Sequence, residues 1–384
     1  MKSRILKRLC SALVGMALST TLAQTEQWLQ YRHSQGGHGY RWLELATNAP
    51  ADVALPKLGI APKFGRWTTP MDASGGRWIC LDRSLSSPAR PRLFFDSNGN
   101  GRLDDEPAVE SGVRNDSGVE FEPVKVLLKG EDGPITYHLR FRLYDFSPND
   151  QRLMAHSAGW YEGMVKFGDK KRRVQLIDGN VNGVFNDQTI TPAERDFLLI
   201  DGDRVGQRYL GRLLEFDGQL YQLEAARDGA FLKVQKAEGI SLGQLRVPET
   251  ITELTVIGPN GHFVRRPVKG EASLPVGQYR LDGWKVERKD EKGTTWTMSG
   301  YGFGETGNLN ILSNQPARLD IGEPVLGMLE SSETANQTTF NLRFQGRLNE
   351  SVQFLVGNDM PRGPRLVLSN LDGSFRATNR FEFG

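Results

Sequence analysis

The amino-acid sequence predicts a mainly β, multi-domain protein, with an N-terminal β region that carries two similar polar loops, followed by two small β-sandwich-like blocks. Three observations predict this class. Apolar and polar residues alternate with period two in several segments, Asp-Gly and Asn-Gly dipeptides separate them, and 43 Gly and 19 Pro suit a chain with many turns. The 384 residues exceed the roughly 250–300 at which single cores stop growing, so we expect more than one domain.

The alternating segments predict strands with one buried face, because successive side chains of a strand point to opposite faces of the sheet. They are Ile135–Leu143, Val174–Ile177, Leu220–Leu223, Phe340–Phe344 and Leu366–Leu368. Hairpin turns are predicted at dipeptides that tolerate positive φ. These are Asp217-Gly218, Asp228-Gly229, Asn260-Gly261, Asp282-Gly283 and Asp372-Gly373. One short helix is predicted at Thr191–Glu194.

The first 23 residues predict a signal peptide. Four basic side chains, from Lys2 to Arg8, precede a short apolar run from Leu9 to Leu18, and small residues end the segment at Ala23. The apolar run is shorter than the roughly 20 residues that span a bilayer, which favours cleavage over a membrane anchor. We therefore expect export to the periplasm, the cell surface or the extracellular space. No transmembrane segment is expected after signal cleavage.

The charge of the mature chain gives no electrostatic reason for binding nucleic acid. The chain has 48 basic and 46 acidic residues, and the leader holds four of the basic ones. The mature chain is therefore expected to have 44 basic and 46 acidic residues, a net charge of −2. It also retains one cysteine, Cys80, which has no internal partner for a disulfide. The apolar neighbours of Cys80 favour a buried thiol over an intermolecular bridge.

Composition and turn positions divide the chain into four parts. Residues 1–23 form the signal peptide, and residues 24–238 form the N-terminal β region with both loops. Residues 239–312 and 313–384 form the two sandwich-like blocks. Within the first block, Leu274–Leu281 resembles the Pro-x-Gly-x-Tyr turn and strand of transthyretin-like and carboxypeptidase-regulatory-like sandwiches.

The two polar loops form an internal repeat of the pattern D-x-N-x-N-G. Each copy directly follows an apolar segment, and a further Asp occurs at position ten of each. In the first copy the candidate metal ligands are Asp96, Asn98, Asn100, Arg102, Asp104 and Asp105. In the second copy they are Asp178, Asn180, Asn182, Val184, Asn186 and Asp187.

This spacing predicts a calcium site. Ca²⁺ takes six to eight oxygen ligands, and alternate residues of a loop supply them where a Gly lets the chain turn sharply around the ion. Gly101 and Gly183 stand at that position six, and Arg102 and Val184 offer the backbone carbonyl of position seven. The pattern resembles the calcium loop of EF-hand and dockerin proteins over about a dozen residues in each copy.

Both loops depart from that pattern at position twelve, where a bidentate acid is usual. Pro107 and Thr189 stand there, so Asp105, Asp187 or an acid outside the loop, such as Glu110 or Glu194, would have to complete the site. With few carboxylates, the affinity is expected to be on the order of 10⁻⁴–10⁻³ M, which suits a structural ion outside the cell. The alternative is that both loops are simple Asn-Gly turns without metal. A third acidic segment, 201–206, predicts a turn whose acids could complete the second site.

Other side chains give weaker signals. His33 and His38 flank a Gly-rich stretch without an acid or Cys nearby, which favours a loop over a zinc site. The seven Trp residues are more typical of core positions than of sugar-stacking surfaces. No motif of a nucleophilic or metal-dependent enzyme is present. A hydrolase of the glycosidase type, acting on envelope polysaccharide with paired carboxylates, remains the alternative function.

The combined pattern resembles a group of uncharacterised exported bacterial β-rich proteins with such loops. It joins a leader, D-x-N-x-N-G loops, a Pro-x-Gly-x-Tyr block and the terminal Arg380-Phe-Glu-Phe-Gly384. The resemblance implies an envelope or extracellular location and calcium, but no activity. We therefore expect an exported, calcium-binding, non-enzymatic structural or binding protein. Its protein or glycan ligand would lie on the C-terminal β domains.

Overall fold

The computed structural model describes residues 26–33, 38–115, 118–130, 133–147, 150–204, 206–335 and 337–382. The predicted signal peptide lies outside them. The described chain is nearly all β structure in several separate sheets, which confirms the predicted fold class. Its helical segments are two 3-10 turns, Pro192–Glu194 and Glu305–Gly307, and Thr191 makes no side-chain cap on the first. No helix in the described part of the chain has the length and apolar character needed to cross a bilayer.

The N-terminal region folds into strands that are short apart from β11. They are β1 (Glu26–Trp28), β2 (Gln30–His33), β3 (Tyr40–Leu43), β4 (Leu45–Ala46), β5 (Ile60–Thr68), β6 (Gly76–Ser84), β7 (Ser87–Phe95), β8 (Ser111–Asn115), β9 (Gly118–Phe121), β10 (Val124–Gly130), β11 (Gly133–Ser147), β12 (Asp150–Ser157), β13 (Gly159–Phe167), β14 (Lys170–Ile177), β15 (Phe197–Ile200), β16 (Arg208–Tyr209), β17 (Leu213–Phe216), β18 (Gln219–Ala225) and β19 (Phe231–Lys236).

These strands form four antiparallel sheets around one core. The sheet orders are β4-β5-β6-β7, β3-β12-β11-β9-β8 with β10 beside β11, β16-β15-β14-β13-β2, and β1-β19-β18-β17. Each sheet contributes to the same buried cluster, for example through Trp67, Tyr137, Leu176 and Leu223. The cluster gives the folded N-terminal region its main hydrophobic stabilisation. The two polar loops follow β7 and β14, on two different sheets.

The C-terminal part contains the remaining strands. They are β20 (Leu242–Arg246), β21 (Glu253–Gly258), β22 (Gly261–Arg265), β23 (Glu271–Pro275), β24 (Gly277–Lys289), β25 (Thr295–Tyr301), β26 (Asn308–Ile311), β27 (Ala317–Arg318), β28 (Leu326–Thr334), β29 (Gln337–Gln345), β30 (Ser351–Val356), β31 (Arg365–Ser369) and β32 (Arg376–Arg380).

One large sheet extends across the predicted division at residue 312. Its order is β22-β21-β24-β25-β30-β29-β28, with β26 beside β24, and β25 pairs with β30 from Trp296↔Val356 to Tyr301↔Ser351. A three-stranded sheet, β23-β20-β27, packs with it around a second core that includes Trp284 and Val352. The division at 312 stays a prediction, while the described strands of both blocks share this sheet and core. Strands β31 and β32 form a separate hairpin.

Most predicted turns have the expected place, and one prediction is wrong. Asp217-Gly218 joins β17 to β18 with positive φ at both residues. Asp282-Gly283 is predicted as a turn but lies inside β24. There Asp282 is the extra residue of a register irregularity opposite Thr255 and Val256. A β-bulge tolerates the same residues as a turn, so the dipeptide alone does not distinguish the two.

Candidate metal sites in two Asp-Asn loops

Both loops begin at the residue that follows a buried strand. Asp96 follows β7 and is 2% exposed, while Asp178 follows β14 and is fully buried. A buried carboxylate needs hydrogen bonds or a cation, because its loss of hydration is costly. The backbone of each loop supplies part of this compensation.

In the first loop, the Asp96 carboxylate accepts three backbone N–H groups. Gly99 and Asn100 donate to Oδ1 at 2.7 and 3.1 Å, and Gly101 donates to Oδ2 at 3.0 Å. The Asn100 Oδ1 atom then accepts the N–H of Arg102 at 2.8 Å. The chain therefore winds around the Asp96 side chain.

The second loop repeats this arrangement. Asn182 N–H donates to Asp178 Oδ1 at 3.2 Å and Gly183 N–H donates to Oδ2 at 2.7 Å. The N–H of Val184 donates to Asn182 Oδ1 at 2.9 Å. The buried hydroxyl of Tyr137 adds a 2.8 Å hydrogen bond to Asp178 Oδ2. The predicted repeat is therefore a repeat of structure as well as of sequence.

The Asp at position ten brings the other polar side chains together in both loops. Asp105 Oδ2 accepts the Nδ2 groups of Asn100 at 2.6 Å and Asn98 at 3.5 Å. In the second loop, Asp187 Oδ2 accepts the corresponding groups of Asn182 at 2.7 Å and Asn180 at 2.8 Å. One carboxylate and two amides thus converge at each loop.

The candidates at position nine do not join these clusters. Asp104 makes a 2.7 Å ion pair with Arg102 at the surface. Asn186 is exposed and lines a different cleft, with Trp28 and Met71. The acid outside the second loop, Glu194, lines a polar cleft of about 260 Å³ together with Asn180, Asn182, Asp187 and Arg41.

Two carboxylates that the sequence analysis missed hold the loop backbones. Glu106 accepts the N–H and hydroxyl of Ser97, both at 2.8 Å, and the N–H of Asn98 at 3.3 Å. Asp196 accepts the N–H groups of Gly179 at 3.0 Å and Asp187 at 2.8 Å. Ser97 and Gly179 occupy position two of their loops, so the two acids perform the same task from different places in the sequence.

The second loop concentrates negative charge in a buried place. Burial raises the pKa of Asp178 to about 6, although hydrogen bonds from Gly183 and Tyr137 partly oppose the effect. Burial, and then the charges of Asp178 and Asp187, raise the pKa of Asp196 well above its ordinary value. A cation beside these carboxylates would favour their ionised forms.

The side chain of Asn180 gives the second loop a buried amide oxygen. Asn180 is 3% exposed, and its Oδ1 atom accepts no hydrogen bond from the described residues. Buried polar atoms are nearly always satisfied, so this oxygen is available to bind a water or an ion. A hard cation held by Asn180 and Asp187 would satisfy it.

The other candidates have structural roles where they are described. Asp201 lies in the turn after β15, where it accepts the N–H of Arg173 at 3.2 Å and pairs with Arg172. His33 stacks on His138 with ring centroids 4.5 Å apart. Cys80 is free and buried, and burial raises the pKa of its thiol to about 12. Across the described residues, no group of three or more His, Cys, Asp or Glu side chains has the arrangement of a metal site.

Comparisons with protein-family models, with curated proteins and with solved structures find no match to this chain. The resemblance to exported proteins with EF-hand-like or dockerin-like loops therefore stays a prediction.

Proposed function

We propose that this is an exported protein whose N-terminal β region is stabilised by calcium ions in the two Asp-Asn loops. The observation that carries the proposal is the repeated cluster of one position-ten carboxylate and two amide side chains. If each loop were only a turn, two loops in different surroundings would not be expected to share this arrangement of side chains.

The donor set suits a hard cation. In the first loop Asp96, Asn98, Asn100 and Asp105 would hold the ion, and the corresponding residues of the second loop are Asp178, Asn180, Asn182 and Asp187. All are oxygen ligands, as Ca²⁺ prefers, and neither set includes the sulfur or imidazole that zinc favours. The orphaned Asn180 oxygen and the buried charge around Asp178 favour a cation at the second loop in particular.

The surroundings favour a structural role for the ions. Glu106 and Asp196 fix the loop backbones, so the loops are largely shaped before an ion binds. The predicted signal peptide would deliver the protein to compartments outside the cytoplasm, where a site of modest affinity suits a constitutive structural ion. We therefore propose that the calcium ions stabilise the fold, and that the protein is a non-enzymatic structural or binding protein.

Thermal unfolding of the mature protein tests the proposal. A ligand that binds only the native state raises the unfolding midpoint as its concentration increases. We expect a higher midpoint in millimolar calcium than in chelator, and a smaller rise with magnesium, which prefers stricter octahedral geometry. Identical curves in calcium and chelator would reduce both loops to turns.

Neighbouring acids in the first loop provide a matched control. Asp105→Asn should reduce the calcium-dependent rise because Asp105 faces both amides, while Asp104→Asn should preserve it because Asp104 pairs with Arg102. In the second loop, Asp187→Asn and Asn186→Ala form the corresponding pair. Equal effects of the two members of a pair would contradict the proposed ligand sets.

A further inference from the structure

An open groove of about 580 Å³ lies between β3–β4 and the outer face of β5–β6, and neither loop ligand set contributes to it. Two tryptophans, two arginines and a glutamate are among its lining residues: Trp42, Trp78, Arg41, Arg66 and Glu44. Its size is that of a small-ligand site, which typically combines apolar surface with a few polar groups.

Trp42 offers a partly exposed aromatic surface. Its side chain is 46% exposed, although the strand that carries it is held by pairing with Met154 on β12. The ring lies 5.2 Å from that of Tyr144. A partly exposed aromatic ring that already packs against a neighbouring ring offers a surface for stacking, and it has less side-chain freedom to lose when a ligand covers it.

Both arginines donate hydrogen bonds to backbone carbonyls, and Arg41 also donates to a hydroxyl. Arg41 Nη1 donates to the carbonyl and the hydroxyl of Thr68 at 3.2 and 2.7 Å. Arg66 Nη2 donates to the carbonyls of Ser74 and Gly76, and its guanidinium lies 5.5 Å from the Trp78 ring centroid. Because a guanidinium has five N–H donors, both arginines keep donors for a ligand.

The charge and shape of the groove together select a ligand class. The lining includes two guanidinium groups and one carboxylate, that of Glu44, so its net charge is positive and favours an anion. Arginine recognises carboxylates by paired hydrogen bonds, and indole rings stack on the apolar faces of sugar rings. A sugar that carries a carboxylate satisfies both requirements, and Glu44 would accept hydrogen bonds from its hydroxyl groups.

We propose that this groove binds an acidic oligosaccharide built from uronic acids, with a sugar ring on Trp42 and carboxylates at Arg41 and Arg66. The site lies in the N-terminal region, whereas the sequence predicted a ligand surface on the C-terminal blocks. The proposal does not rest on calcium binding. Among the described residues, Arg41 lines both this groove and the cleft beside the second loop.

Calorimetric titration of the mature protein with defined tetrasaccharides tests the groove. The acidic probes are tetragalacturonate and tetramannuronate, and the neutral probe is cellotetraose, all in calcium-containing buffer at low ionic strength. We expect at least one acidic tetramer to bind and the neutral one to bind at least about tenfold more weakly. Binding should weaken with added salt, because the paired charges are screened.

Variants separate the groove from the rest of the surface. Trp42→Ala and Arg66→Gln should each weaken acidic-tetramer binding about tenfold. Trp296→Ala should leave binding unchanged, since Trp296 is similarly exposed (41%) and lies on β25, outside the groove. The unfolding midpoint of each variant in calcium and in chelator verifies folding and reports the calcium proposal separately.

Three results would overturn the inference. They are no binding of either acidic tetramer to the folded protein, equal affinity for the neutral tetramer, and acidic-tetramer binding that Trp42→Ala leaves intact. None of them bears on the calcium-dependent midpoint, so failure of one proposal is distinguishable from failure of the other.

Discussion

Asp178 and Asp196 have buried carboxyl groups whose protonation should affect stability in the absence of calcium. Burial raises both pKa values in the folded protein, that of Asp178 to about 6. In the unfolded chain such groups titrate near pH 4, so between about pH 4 and 6 the folded state binds more protons than the unfolded state. Stability in chelator is therefore expected to increase as the pH falls through this window.

The pH dependence gives a direct prediction. From pH 7.5 to 5 in chelator, the free energy of unfolding should rise, by roughly 1 kcal/mol from Asp178 alone, and the raised pKa of Asp196 acts in the same direction. Asp178→Asn should flatten this rise, whereas Asp104→Asn at the surface should not. Urea unfolding at several pH values measures it, and a wild-type slope that Asp178→Asn leaves unchanged would show that another group is responsible.

Trp67 connects the core to the backbone of the second loop. Its Nε1 donates a 2.6 Å hydrogen bond to the carbonyl of Val181, and both residues are fully buried. Val181 has a φ of +57°, a conformation that is unfavourable for a β-branched residue and needs support from its surroundings.

Trp67→Phe should therefore destabilise the protein more than its lost volume alone suggests. The orphaned Val181 carbonyl is expected to cost about 1–3 kcal/mol, in addition to the cavity. Trp296→Phe is the control, because Trp296 is partly exposed and its 3.3 Å hydrogen bond to Asp290 is at the surface. Comparable losses of unfolding free energy in the two variants would contradict the role assigned to Trp67.

At the scale of elements, the position-six glycines of the two loops have the same backbone conformation in different surroundings. Gly101 and Gly183 have φ values of +78° and +88°. A Cβ added to Gly101 would meet nothing within 4 Å, while at Gly183 it would lie 3.0 Å from Leu128 and 3.2 Å from Thr69.

Alanine at these two positions should reveal that difference. Gly101→Ala should cost about 1–2 kcal/mol, the usual penalty of a left-handed residue, and Gly183→Ala should cost more because its Cβ is also crowded. Gly101→Asn should lose less than Gly101→Ala, since Asn tolerates this conformation. Urea unfolding in chelator measures all three, and equal losses for the two alanine variants would contradict the crowding at Gly183.

The same loops illustrate how far the sequence predicts the sites. The D-x-N-x-N-G pattern and the alternation of Ile135–Leu143 are local, so the loop clusters and strand β11 were predictable. The contact of Asp196 with the second loop was not predictable. Asp196 reaches Gly179 only through the antiparallel pairing that places Phe197 opposite Ile177. Such a contact depends on which strands pair, and that choice is made by the packing of the whole core.

At the scale of the whole molecule, each loop lies where sheets meet. The first loop bonds to β10 of a neighbouring sheet, since Leu127 N–H donates to the Ser97 carbonyl. The second loop, which follows β14, contacts two sheets other than its own, through Tyr137 on β11 and Trp67 on β5. Ions in these loops would therefore stabilise the arrangement of sheets in the N-terminal region as well as the loops themselves.

The C-terminal part depends on its own long-range pairing, which truncation can test. A chain ending at Leu312 loses β27 and β30 and the buried core residues Ile321 and Val352. It also loses Glu350, whose carboxylate accepts the indole N–H of the buried Trp284 at 2.8 Å. A chain ending at Arg362 loses only the β31–β32 hairpin from the described strands, and none of the described residues that follow Arg362 is buried.

We expect the chain ending at Leu312 to lose cooperative unfolding of its C-terminal part. The truncation exposes apolar core residues to water and leaves the indole N–H of Trp284 without its acceptor, Glu350. The chain ending at Arg362 should unfold within about 0.5 kcal/mol of the full-length mature protein, as surface changes usually do. Calorimetry of the three chains, together with near-ultraviolet circular dichroism of their aromatic side chains, measures both effects. If the chain ending at Leu312 retained the native transition, residues 239–312 would be an independent domain and the shared sheet would be dispensable.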